Sequence, residues 1–104
     1  MTEAQLQDAV RLWASRRGWY LWRNNVGVLR DMRGRPVRYG LANDSAHINA
    51  AIKSADLIGW DNEGRFVSVE IKGPRGRVHP AQEAWAQLVN AAGGRAYIIR
   101  NLED

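Results

Sequence analysis

Two short apolar runs joined by a strong turn restrict this chain more than any other stretch. The first is Asp56-Leu57-Ile58-Gly59-Trp60 and the second runs from Arg65 through Phe66-Val67-Ser68-Val69-Glu70-Ile71 to Lys72. Between them lies Asp61-Asn62-Glu63-Gly64, a turn sequence in which Asp61 and Glu63 read as solvated residues. Side chains alternate along a strand. Val67, Val69 and Ile71 therefore share one face, and Phe66, Ser68, Glu70 and Lys72 the other. Glu70 and Lys72 then stand roughly 7 Å apart along the strand. Each run carries an acidic residue, Asp56 or Glu70, where a plain core strand has none.

Two carboxylates and a lysine meeting at strand ends suit phosphodiester hydrolysis. That reaction needs an activated water, neutralised charge on the transition state and a stabilised leaving oxygen, all of which a divalent metal supplies. Mg2+ is hard and keeps several waters, so a few protein oxygens suffice. Asp56 and Glu70 offer carboxylates, the Ile71 backbone carbonyl a third oxygen, and Lys72 a positive charge beside the water or phosphate. The flanking carboxylates favour an electrostatic over a general-base role for that lysine. The same E-x-K spacing also fits an exposed ion pair on a half-solvated strand, with Asp56 as a strand-end cap.

The flanking segments build a mixed α/β domain around this hairpin. Thr2 to Arg17 reads as a helix with Thr2 and Gln5 in capping-box positions and Leu6, Ala9, Val10 and Trp13 on one stripe. Glu3 falls in its first turn, where the helix dipole favours a carboxylate. Trp19 to Arg23 is strand-like, and Asn24-Asn25-Val26-Gly27 is turn-prone. Val28 to Tyr39 reads as a short hairpin carrying Arg30, Arg33, Arg35 and Arg38, which fits either a solubilising loop or a phosphate-contacting arm. From Gly40 to Lys53 the pattern permits a short helix, yet Asn43, Asp44 and Asn49 argue for irregular structure, and His47 reads as structural. Gly73-Pro74-Arg75-Gly76-Arg77 is a basic loop directly after Lys72. Pro80 then opens a helix capped by His79, with Gln82 in its first turn and Ala81, Trp85, Leu88, Val89 and Ala92 facing the core. Gly93-Gly94 ends it before a last strand over Arg95 to Arg100. The resulting order is α-β-β-β-α-β, one mixed central sheet flanked by two helices, within a single domain over residues 1–104. Five tryptophans are expected to supply core area.

Composition narrows the partners. Fifteen basic residues against eleven acidic ones give a net charge of +4, and arginine dominates the basic set, which suits bidentate phosphate recognition. With no cysteine, disulfides, thiol nucleophiles and cysteine-ligated zinc are excluded. No apolar run reaches membrane-spanning length, and the polar, acidic start does not resemble a signal peptide, so a cytoplasmic protein is expected.

Taken together, Ser54-Ala55-Asp56-Leu57-Ile58-Gly59, then Val69-Glu70-Ile71-Lys72-Gly73-Pro74-Arg75-Gly76-Arg77, then His79-Pro80-Ala81-Gln82 resemble the VRR-NUC domain. This is the virus-type replication-repair nuclease branch of the PD-(D/E)XK superfamily, whose fold is restriction-endonuclease-like. The resemblance extends over nearly the whole chain, including Glu3, the Arg23-Asn24-Asn25 stretch with Gly27, and Gly93-Gly94. It implies that Asp56 and Glu70 bind Mg2+ or Mn2+ with the Ile71 carbonyl, and that Lys72 is the catalytic lysine. It implies also that Gln82 orients that lysine or the water, and that Glu3 reaches the metal shell directly or through water. One departure is Ala55, where the family usually has proline; its loss is expected to loosen the turn before Asp56. Stand-alone members, mostly from phages, are implied to be homodimers acting in DNA repair on branched DNA such as Holliday junctions. DNA contacts are then expected from Asn25, Arg30, Arg33, Arg35, Arg38, Arg75 and Arg77. Two other readings stand beside this one: a non-catalytic nucleic-acid-binding module on the same fold, and a restriction-like duplex endonuclease.

Overall fold

The reciprocal cap written into the N-terminal sequence starts the fold. The Gln5 N–H donates to the Thr2 hydroxyl, and the Gln5 side chain accepts from the Thr2 N–H. Helix α1 (Glu3–Arg16) follows and buries Leu6, Val10 and Ala14. In the computed structural model, which describes residues 1–103, six strands and two further helices come after it. The elements are β1 (Tyr20–Arg23), β2 (Gly27–Arg30), β3 (Pro36–Tyr39), α2 (Ala46–Ala51), β4 (Leu57–Trp60), β5 (Phe66–Ile71), α3 (Pro80–Ala91) and β6 (Arg95–Ile99).

The expected order α-β-β-β-α-β is therefore too short. The arginine hairpin contributes two strands of its own, and α2 forms where the asparagines argued for irregular structure. Ser45 resolves that conflict, because its hydroxyl accepts from the Ile48 N–H and caps the short helix. The main sheet runs β1-β4-β5-β6 and is mixed: β1 with β4 and β4 with β5 are antiparallel, while β5 with β6 is parallel. The parallel step follows from α3, which carries the chain back across the sheet. The hairpin β2–β3 stands apart as a second, two-stranded sheet.

Alternation along β5 sorts its side chains as the sequence implied, but neither face is left to solvent. Val67, Val69 and Ile71 join Leu21, Leu57 and the buried stripe of α1 in one core. On the other face α3 covers β5. The Trp85 indole donates to the Ser68 hydroxyl at 2.8 Å, and its ring meets Phe66 edge-on with centroids 6.2 Å apart. Gly59 lies where β1 crosses closest to β4. A Cβ there would sit 1.7 Å from the Tyr20 carbonyl oxygen, so the strands can pair only around a glycine.

The tryptophans do less for the core than expected. Trp13, Trp22 and Trp60 are exposed, and Trp22, Trp60 and Tyr20 cluster on the part of the sheet that α3 does not reach. Leu88, placed on the buried stripe of α3 by its spacing, is 55% exposed, and Ala81 and Val89 are the residues α3 buries.

Asp61 reverses the expectation made for it. It is 1% exposed and accepts from the Glu63 and Arg65 N–H groups, from Arg65 Nε at 3.0 Å and from Arg95 Nε at 3.1 Å. Burial opposes its charge, yet the Arg65 and Glu63 amides and the Arg65 guanidinium hold its carboxyl below the usual carboxylate range. The loop of the other hairpin is built the same way. Asp31 accepts from the Arg33 and Arg35 N–H groups and from Arg35 Nε, and Gly34, like Gly64, takes positive φ at the same step of the turn. The shared D-x-x-G-R pattern is thus one loop used twice. Only Asp61 is buried, because β6 brings Arg95 against it.

Candidate active site

The site forms where the β4–β5 ladder stops. Register pairs Leu57 with Val69, so Asp56 comes opposite Glu70 just beyond the end of β4. Asp56 does not continue the ladder with its backbone. Its Oδ2 instead accepts the Ile71 N–H at 2.9 Å. A residue's N–H and C=O leave a pleated strand toward the same edge, so the Ile71 carbonyl also faces Asp56. On the opposite edge the Lys72 N–H donates to Ile99 of β6.

Two carboxylates consequently face each other in a partly dry place. Glu70 is 7% exposed. Burial pushes its carboxyl up, and the neighbouring Asp56 carboxylate pushes it further. Lys72 pulls it down, Glu3 adds a small push, and it settles at about 8. The Lys72 Nζ lies 3.9 Å from Glu70 Oε1, and its side chain is largely covered. The alternative of an exposed surface pair on a half-solvated strand is overturned by this burial.

Glu3 and Gln82 close in from the two long helices, each with a structural bond. Glu3 Oε1 accepts the Gly73 N–H at 2.8 Å and so ties the basic loop to α1. Gln82 Oε1 accepts the His79 N–H, while His79 Nδ1 accepts the Ala81 N–H, a reciprocal cap at the start of α3. The Gln82 amide nitrogen has no protein partner among the described residues, and the residue borders a cleft of about 340 Å³. Asp56, Glu70 and Gln82 line that cleft. Lys72 and Glu3 do not, and approach Glu70 from the loop end of β5.

The turn before Asp56 is not loose despite Ala55. The Asn24 side chain donates to the Ser54 hydroxyl and the Ala55 carbonyl, both at 2.8 Å, and the Asn24 N–H reaches the Asp56 carbonyl at 2.7 Å. Those bonds do the shaping expected of a proline. Asn24, read from sequence only as a turn residue, is thus the bracket of the site. Asn25 beside it is exposed and lies outside the cleft lining.

The basic residues divide. Arg38 gives Nε and one terminal nitrogen to Asn43 at 2.7 Å each, and Arg35 is bonded to Asp31. Arg30 donates to the Gly34 carbonyl. Arg33, Arg75 and Arg77 are exposed, with no protein partner for their guanidiniums among the described residues. Asn43, 2% exposed, ties both hairpin strands by donating to the Gly27 and Tyr39 carbonyls. Sequence reasoning missed Asn43 as an anchor. It also missed Lys53 and Asn49 on the cleft wall, although Lys53 is one of only two lysines, the other being Lys72.

Chemically, the place offers hard oxygen donors and little else. No group of three or more His, Asp or Glu side chains converges among the described residues. The donor set is two facing carboxylates, with the Ile71 carbonyl turned toward the same edge. That suits a cation keeping most of its own water, and a divalent charge would offset the burial and the Asp56 charge that hold Glu70 up. No described helix is long and apolar enough to cross a membrane.

The model of the VRR-NUC domain matches residues 1–101 of the 104-residue chain. No curated protein matches the chain, and no solved structure does.

Proposed function

The chain belongs to the VRR-NUC domain family, a nuclease-type domain, and from that premise we propose that it is a metal-dependent, structure-selective DNA endonuclease of PD-(D/E)XK type. The observation that carries this reading is the β4–β5 register, which sets Asp56 opposite Glu70 with Asp56 Oδ2 on the Ile71 N–H, together with the Lys72 amine 3.9 Å from Glu70. Asp56, Glu70 and the Ile71 carbonyl would hold Mg2+ or Mn2+. A bound ion of that kind activates water and neutralises charge gathering on the phosphate.

The remaining work falls to the chain's own residues. Lys72 presents a fixed positive charge at the phosphate or the attacking water, and its position beside Glu70 costs no rearrangement during reaction. Gln82 lines the cleft with its oxygen fixed by the α3 cap, which leaves its amide nitrogen to donate to the water or phosphate. Glu3 ties the loop of Arg75 and Arg77, which directly follows Lys72, to α1 through Gly73. Those two arginines, with Arg30 and Arg33 on the hairpin, contact DNA backbone and read its shape. Branched substrates such as four-way junctions are cut twice, symmetrically, so the working unit is a homodimer with two sites.

Labelled four-way junction, flap and linear duplex, incubated with the protein in Mg2+, Mn2+ or EDTA, test this directly. Metal-dependent cutting of the branched forms in preference to the duplex is expected. Equal cutting of linear duplex would remove the structure selectivity, and no cutting with either metal would remove the nuclease assignment.

A further inference from the structure

The cleft beside the carboxylate pair has three sides of different character. The ends of β4 and β5 bring Ala55, Asp56 and Glu70. The hairpin brings Val28 and Arg38 on the face that β-alternation turns away from Leu29 and Val37. The segment after α2 brings Lys53, with Gln82 of α3 beside it.

Lys53 and Arg38 are both partly buried, and both are held by neutral groups. The Lys53 amine donates to the Asn49 carboxamide, and its backbone N–H donates to Ala81 of α3. Arg38 leans on the Asn43 carbonyl and carboxamide, which leaves its second terminal nitrogen unused. Neither cation meets a carboxylate in any ion pair among the described residues, whereas Lys72, Arg35, Arg65 and Arg95 all do. Two partly buried cations on one cleft wall, held by amides and in no ion pair among the described residues, form a site for an anion. The anion must fit a cleft of about 340 Å³ that also holds two carboxylates. A chain with phosphates at regular intervals meets that condition, since one phosphate is kept clear of the carboxylates while its neighbour approaches them.

We propose that Lys53 and Arg38 form a second phosphate subsite, binding a backbone phosphate of the nucleic-acid strand next to the one that is cut. The inference rests on the nuclease reading for the identity of the strand, but its chemistry is that of phosphate binding alone. Lys53 is the residue that sets it. Arg38 also holds the hairpin to Asn43, so its removal would disturb the wall itself.

The test separates binding from cutting. Anisotropy of a labelled oligonucleotide with the full chain in EDTA, where no cleavage occurs, is measured over a range of salt for wild type, Lys53→Met and Lys53→Arg. Lys53→Met is expected to weaken binding about tenfold and to make the salt dependence shallower by about one phosphate contact. Lys53→Arg is expected to restore both. In Mg2+ the loss in Lys53→Met should fall mainly on KM. Unchanged affinity and salt slope in Lys53→Met, or a loss that Lys53→Arg does not restore, would overturn the subsite. Normal binding differences together with a wild type that never cuts would leave the subsite standing and remove the nuclease reading instead.

Discussion

Asp56 Oδ2 accepts the Ile71 N–H at 2.9 Å, a bond that replaces the next rung of the β4–β5 ladder with a side chain. One carboxylate thus finishes the sheet and faces Glu70. The two duties can be pulled apart. Asp56→Asn keeps an acceptor for Ile71 and should leave stability nearly unchanged while cleavage falls about 100-fold or more. Asp56→Ala orphans that N–H and should cost about 1–3 kcal/mol in addition. Denaturant melts beside cleavage rates check both.

The Glu70 carboxyl lies well above its ordinary 4.5, at about 8, through burial and the adjacent Asp56. The folded state therefore binds the proton more tightly than the unfolded chain does. Between about pH 4.5 and 8 folding stability falls as pH rises, because the unfolded chain has already released a proton that the folded chain still holds. Melting temperatures in EDTA should decline across that window, and Glu70→Gln should flatten the decline. Added Mg2+ should flatten it too, and its binding should release a proton in the same range.

Lys72 approaches Glu70 without taking over its second oxygen. Lys72→Met should abolish cleavage while Mg2+ or Mn2+ binding, read by calorimetry, persists. The Glu70 carboxyl loses its cationic neighbour in this variant, so metal binding should need a higher pH than in wild type.

Asp61 ties the β4–β5 turn to β6 through Arg65 and Arg95. Asp61→Ala should lower the melting temperature more than Asp31→Ala does, since Asp31 holds the same kind of loop without a second arginine. Activity per folded molecule should be retained, as Asp61 lies at the opposite end of β4 from Asp56.

The comparison of Asp61 with Asp31 shows where the sequence is readable and where it stops. Local devices were legible. The Thr2–Gln5 capping box, the His79 cap, the alternation along β5 and the meeting of Asp56 with Glu70 at the strand ends depend on neighbours a few residues apart or on one hairpin register. Asp61 looked like a solvated turn residue because its burial depends on Arg95, more than thirty positions later. Asn24 and Asn43 carry turn chemistry in the sequence, and only the fold shows that they brace Ala55 and Arg38. The tryptophans misled for a related reason. Hydrophobicity marks a residue that gains from burial, but α3 covers only β5 and β6, so Trp22 and Trp60 have nothing above them.

The central claim is that Asp56 and Glu70 act together as the oxygen pair for a divalent ion at a cleavage site. Cleavage of a labelled four-way junction by wild type, Asp56→Asn and Glu70→Gln, each with Mg2+, with Mn2+ and with EDTA, tests it most directly. The account predicts cutting by wild type in either metal, none in EDTA, and loss of cutting in both variants with the fold retained by circular dichroism. Cutting by wild type in EDTA, or undiminished cutting by either folded variant, would contradict it.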